Sequence, residues 1–196
     1  MANGRVRVGF SKPYVAEYTN TSGSVSYSNC MPLARGVSVD TSLSTSDKSD
    51  FWADNTIAES QTGKFAGGTI TLTCDDPNPE AKALVKGTAK AGDDGWVHEN
   101  GDEKIPYVGI GFIVKYLSGG VESYVPVVIR KAQLSSMGDT AQTGQDTVNY
   151  TTIEQVYNLN RDDTTSHDWR WIHEEGFATE SEAETAMKKV LGVTAA

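Results

Sequence analysis

Residues 64–74, Lys64-Phe65-Ala66-Gly67-Gly68-Thr69-Ile70-Thr71-Leu72-Thr73-Cys74, decide how the rest of the chain is read. Ile70, Leu72 and Cys74 fall on one side of an extended backbone, and Thr69, Thr71 and Thr73 on the other. Period-two alternation of β-branched residues is the pattern of a strand with one face in a core. Asp75-Asp76-Pro77-Asn78-Pro79 stops the strand. A short helix is predicted over 80–86. Asn78 caps it, Pro79 takes the first helical position, Gly87 closes it, and Ala81, Leu84 and Val85 form its apolar stripe.

On the C-terminal side, residues 92–103 are acidic and Gly-rich, hence a loop. Runs 105–117 and 121–134 flank Ser118-Gly119-Gly120, a strong hairpin signal. Gly109 and Gly111 point to a bend or a close backbone approach, and Pro126 to an edge position or bulge. Residues 135–146 are a polar loop, 147–159 a long strand, 161–168 a turn region and 169–172 a short strand. Thr179-Glu180-Ser181-Glu182 fits a capping box. Ala183, Ala186, Met187, Val190 and Leu191 then make a helical stripe that ends at Gly192. This helix follows the last strand, so deleting residues 180–196 is expected to leave the β core intact.

On the N-terminal side, strands are predicted at 14–18, 25–28 and 33–41, the last with Val37 and Val39 on one face, and a polar loop at 42–50. Phe51-Trp52-Ala53-Asp54-Asn55 and Thr56-Ile57-Ala58-Glu59 follow. Two large rings in polar surroundings, with a turn-prone Asp-Asn pair behind them, read as a hairpin arm that projects from the body. The other reading is that one of the two rings plugs the core, since pleat alternation puts only one on a given face.

The order is strands, a small helix, long strands and a terminal helix. It predicts a single mainly-β (α+β) domain over 1–196, a sandwich or distorted barrel with a flanking short helix, a long hairpin arm and a C-terminal helix. The β core spans 1–160 with the arm at 42–62, and a C-terminal strand and helix occupy 161–196.

Composition narrows the function. The 196 residues carry a net charge of −9, which makes a poor grip for nucleic-acid phosphates. A conduit that should repel DNA is still compatible with it. Residues 1–10 do not read as a signal peptide, and no run approaches the length of a membrane span. Cys30 and Cys74 lack metal-ligand spacing and read as reduced thiols. His98, His167 and His173 form no zinc pattern, and no nucleophile elbow, phosphate-binding loop or HExxH helix is present. The acidic pairs Asp75-Asp76, Asp93-Asp94, Asp102-Glu103 and Asp162-Asp163 read as solvated loops rather than a glycosidase pair. Oxygen ligands cluster at 93–103, but the spacing of a calcium-binding EF-hand is missing. No catalytic, cofactor or metal site is expected. Polar loops on a strand scaffold, exposed rings and an edge strand favour assembly.

Five stretches resemble the major tail protein family of long, non-contractile-tailed bacteriophages (siphophages). They are Gly9-Phe10-Ser11-Lys12-Pro13-Tyr14-Val15-Ala16; Phe51-Trp52-Ala53-Asp54-Asn55 with Glu59; Gly68-Thr69-Ile70-Thr71-Leu72-Thr73 leading into residues 80–87; Pro106-Tyr107-Val108-Gly109-Ile110-Gly111-Phe112 with the hairpin to Tyr124 and Lys131; and residues 147–159. Together they cover most of 9–160. The terminal helix over 180–191 and the loop over 139–145 have no counterpart in the family pattern. The resemblance implies two packed sheets, a flanking helix and a long arm. It further implies self-assembly into stacked hexameric rings, partnership with other phage tail proteins, and a lumen that passes double-stranded DNA without specific binding. The expected location is the virion tail, assembled in the bacterial cytoplasm without a membrane. Phe51, Trp52, Ala53, Asp54, Asn55 and Glu59 would then be subunit-interface residues.

Two other classes are weighed. A monomeric carbohydrate-binding or adhesin-like β-sandwich could stack sugars on Trp52, Trp96, Trp169 and Trp171. A hydrolase with paired carboxylates has only the abundance of Asp and Glu behind it.

Overall fold

The computed structural model describes residues 4–89, 95–143 and 150–193. In chain order the elements are β1 (Val6–Thr21), β2 (Ser24–Pro32), β3 (Gly36–Thr45), β4 (Ser49–Ala53), β5 (Thr56–Gln61), β6 (Phe65–Cys74), α1 (Pro79–Lys86), β7 (Tyr107–Ser118), β8 (Val121–Met137), β9 (Ile153–Asn160), β10 (Arg170–Ile172) and α2 (Glu180–Val190). Eight strands form one antiparallel sheet in the order β2-β1-β7-β8-β9-β6-β3, with β10 added to β8. The long β8 pairs with β7 along one edge, and with β10 and then β9 along the other.

The sheet curls so that its last strand, β3, packs against β1. The Leu33 N–H donates to the Pro13 carbonyl (2.9 Å), and the Phe10 ring lies where a side chain on Gly36 would be. The two layers implied by the resemblance are therefore two parts of one hydrogen-bonded sheet. Alternation sorts its side chains. Val15, Ile70, Leu72, Ile110, Phe112, Val125, Val127 and Ile129 fill the inside with Ala81 and Val85 of α1. Tyr14, Ala16, Ile113 and Val128 face outward and are covered by Ala183, Met187 and Leu191 of α2. Non-local pairing of this kind buries apolar rows on both faces and leaves the strand edges of β2 and β3 open.

The helix signals are realised. Asn78 Oδ1 accepts from the Glu80 N–H, and Gly87 caps α1 at φ +71. The reciprocal Thr179–Glu182 capping box opens α2. The β7–β8 hairpin turns on Gly119 and Gly120, both at positive φ, as a two-residue primed turn requires.

Several expectations are revised. Residues 42–45 continue β3 rather than joining a loop, because they pair with Thr69, Gly68, Gly67 and Phe65 of β6. Val37 does not share a buried face with Val39. It sits at the irregularity between Gly36 and Ser38 and is exposed. In α1 the buried set is Ala81, Ala83 and Val85, with Leu84 half-buried. Strand β8 runs on to Met137, and β9 starts only at Ile153. Residues 147–149 of the predicted late strand lie outside the described residues. Pro126 lies inside β8, which has partners on both sides. Its carbonyl accepts from the His173 N–H (3.2 Å) just past the end of the β10 ladder, so its missing donor breaks no rung.

Candidate assembly interface

The arm follows from the register of β3 and β6. These strands pair from Gly36–Cys74 to Thr45–Phe65. The ribbon is carried on by the Ser46 N–H to the Lys64 carbonyl (2.7 Å) and the Lys64 N–H to Ser46 Oγ (2.9 Å). It continues as β4 and β5, paired from Ser49–Gln61 to Ala53–Thr56. The two core strands thus lead into the arm through two short joins, 46–48 and 62–64, that belong to no strand. Gly63 permits this join, since a Cβ there would lie 1.8 Å from the Ser46 carbonyl oxygen. From Ser46 to the tip the arm reaches roughly 25 Å, at about 3.3 Å per residue.

Asp54 and Asn55 make the tip turn at φ +48° and +61°, the left-handed pair that a two-residue primed hairpin demands. Thr56 Oγ1 donates to the Ala53 carbonyl across it (3.0 Å). Lower down, Asp50 accepts from Ser60 Oγ (2.6 Å) and pairs with Lys48 (3.0 Å). The Ser60 hydroxyl and then Lys48 hold its carboxyl below the usual range. Among the described residues, strands β4 and β5 pair only with each other. Phe51 is 65% exposed and Trp52 62%, so neither ring plugs the core, and Ile57 is exposed with them. Phe51 pairs with Glu59 and Trp52 with Ile57, which leaves Ala58 as the extra residue of a bulge. All six sequence-selected residues, Phe51, Trp52, Ala53, Asp54, Asn55 and Glu59, therefore sit together on one arm.

The arm's root is clamped. The Phe65 and Trp169 rings stack at 5.2 Å, with the Arg161 guanidinium over Phe65 and that of Arg170 over Trp169. Arg161 Nη2 also donates to the Phe65 carbonyl (3.2 Å).

The Asp162-Asp163 pair is not a solvated loop. The β7–β8 register places three steps of β8, Ile129 to Ala132, against two of β7, so β8 bulges at Arg130 and Lys131. Arg130 then pairs with Asp162 (3.0 Å), their side chains 6% and 0% exposed, while Lys131 pairs with Asp163 (2.7 Å). The Tyr18 hydroxyl donates to Asp163 (2.7 Å), and the Lys131 ammonium, then Tyr18, keep that carboxyl low. The Trp171 ring covers Arg130 at 3.9 Å. The signal missed in the sequence is the pair of matched dipeptides, Arg130-Lys131 and Asp162-Asp163.

The other candidates for chemistry stay apart. Asp75 is held by Arg35. Asp93-Asp94 lies outside the described residues. Glu103 turns back to accept from the Asn100 and Gly101 N–H groups (2.7 and 2.9 Å). His98 is exposed, His167 Nδ1 lies 3.2 Å from the Asp162 carbonyl, and His173 packs on Phe177. Among the described residues no three His, Cys, Asp or Glu side chains are grouped to hold a metal ion. Cys30 and Cys74 are free, with burial pushing their thiols up to about 11 and about 12. Among the described residues no helix is long and apolar enough to cross a membrane. No protein-family model matches this chain, and no curated protein matches it.

Proposed function

We propose that this chain is a non-catalytic structural subunit of a phage tail tube, self-assembling into stacked hexameric rings whose lumen conducts double-stranded DNA during genome ejection. The observation that carries the reading is the arm: a preformed two-stranded hairpin with Phe51, Trp52 and Ile57 exposed, joined to the core sheet by residues 46–48 and 62–64 and, among the described residues, paired with no other strand. Two strands alone are marginal in water, and apolar side chains gathered on such a projection need a partner surface. A second copy of the chain supplies one, and the open edges of β2 and β3 offer further pairing. The net charge of −9 suits a channel wall that gives passing DNA nothing to hold. In this reading the protein belongs to the virion tail, meets other tail proteins at the tube ends, and is assembled in the bacterial cytoplasm.

The test is negative-stain electron microscopy with mass in solution, for wild type and Trp52→Ala. Rings or hollow tubes from wild type are expected. Trp52→Ala should give few or short ones while melting at the wild-type temperature. Tubes of normal length from the variant would remove the arm from assembly. A monomer that binds glycans saturably would replace the reading with the sugar-binding one. For that function Trp169 is already stacked on Phe65, and Trp171 lies over Arg130.

A further inference from the structure

Three arginines line one cleft of the curled sheet, in a protein that has 26 acidic residues against 17 basic ones. Arg5 and Arg7 lie at the start of the chain and of β1, and Arg170 opens β10; all three line a cleft of about 430 Å³. The Arg5 guanidinium lies 4.3 Å over the Tyr116 ring, and Arg7 Nε donates to the Tyr116 hydroxyl (3.0 Å). Glu174 and Asp40 also line the cleft, and Glu174 is taken by Arg5 (2.6 Å). Arg7 and Arg170 form no ion pair with any carboxylate among the described residues. Burial, and then the charge of Arg7, push the Arg170 guanidinium down, more than Glu174 and Tyr116 push it back up. The back wall is apolar, with Val39, Phe112 and Val114. A carboxylate placed between Arg7 and Arg170 would relieve their repulsion through charge-assisted, bidentate bonds, and a guanidinium also accepts an aromatic ring on its face. The volume is in the range of about 300–1,000 Å³ that such pockets occupy.

The complementary object is on the same chain. Residues 51–60 carry Asp54 and Glu59, two aromatic rings and no cation. A chain's own arm starts at the rim and leaves it: Leu43, two residues from the end of β3, lines the cleft, and Phe65 at the arm's root stacks on Trp169 beside Arg170. The occupant is therefore the tip from a second copy. Donor and acceptor are different patches of the molecule, so the contact is heterologous, and it builds a ring where the rotation between copies closes.

We propose that the arginine-lined mouth receives the arm tip of the neighbouring copy within a ring, Asp54 seating between Arg7 and Arg170 and a tip ring lying on the apolar wall. This rests on the assembly reading above and assigns the arm to the in-ring contact.

The test has two arms, both on the full chain. Trp52→p-benzoylphenylalanine is irradiated at a concentration where wild type is oligomeric, and the joined peptides are mapped by mass spectrometry. Cross-links to residues 39–43 or 112–116 of another copy are expected. In parallel, Asp54→Arg and Arg170→Asp should each cut ring formation at least tenfold, and the chain carrying both should regain most of it. Arg7→Gln and Arg170→Gln, checked for wild-type melting, guard against a misfolded charge reversal and should also weaken rings. Rings whose cross-links map elsewhere, or that form normally with both glutamines present, overturn the mouth as the receptor and leave the assembly reading standing. A wild-type chain that stays monomeric at every concentration overturns both.

Discussion

Gly109 and Gly111 show how single positions set the packing. A Cβ on Gly111 would sit 2.8 Å from Leu191 Cδ1 and Met187 Cγ, and one on Gly109 2.5 Å from the Tyr27 ring. Their missing side chains let α2 settle on β7. Gly111→Val should cost about 1–3 kcal/mol by forcing the helix away, read as a lower urea midpoint with an unchanged slope. Arg130→Met belongs to the same scale. It leaves Asp162 as a buried, unpaired charge, so a loss of about 3–5 kcal/mol is expected. Arg130→Met with Asp162→Leu should recover a large part of that loss in the same urea melts. The glycines were legible in the sequence as a close approach, though what approaches them was not. The Arg130–Asp162 pair was not legible, because it depends on a bulge that turns Arg130 and Lys131 toward the 161–168 turn, and a bulge has no local composition signal when neither residue is glycine.

At the scale of elements, α2 is held down by more than its apolar stripe. Glu184 accepts from the Tyr14 hydroxyl (2.6 Å) and pairs with Lys188 (2.6 Å) and Lys12 (3.3 Å). Burial works against its charge, but bonds from Lys188, Tyr14 and Lys12 win and bring its carboxyl down to about 2. A carboxyl depressed on folding adds stability above its unfolded value of 4.5, and that stability drains away as pH falls toward about 2. Thermal melts across that acid window should fall more steeply for wild type than for Glu184→Gln. The arm behaves differently, since it is made by a turn. Asn55 sits at φ +61°, so Asn55→Gly removes a backbone penalty and should make the hairpin more fully formed, speeding the proposed self-assembly in light scattering. Elements of this sort were legible because their causes are local: the Asp54-Asn55 and Gly119-Gly120 turns, the Asn78 cap and the Thr179–Glu182 box all lie within a few residues. The joining of β9 to both β6 and β8, and the curl that brings β3 onto β1, are set by contacts distant in sequence.

For the whole molecule, α2 is a layer of the fold rather than an appendage. Ala183, Met187 and Leu191 are buried against Tyr14, Ala16, Ile113 and Val128. The expectation that the β core stands without residues 180–196 overlooked this outward-facing apolar row, because an antiparallel sheet is usually wet on one side. Met187→Ala should cost about 2–5 kcal/mol, and the deletion should bind a hydrophobic dye and melt at lower temperature, seen by circular dichroism.

The close joining of β3 and β6 to the arm has a mechanical consequence. A pull on the tip along the strands loads the whole β6–β9 ladder from Gly68 to Cys74 in shear, so its rungs must slip together rather than unzip one after another. Whatever grips the tip is tied, through the short joins at 46–48 and 62–64, to the β3–β6 end of the sheet. Under the proposed assembly, a load on one copy would reach the next through this tip and these two joins.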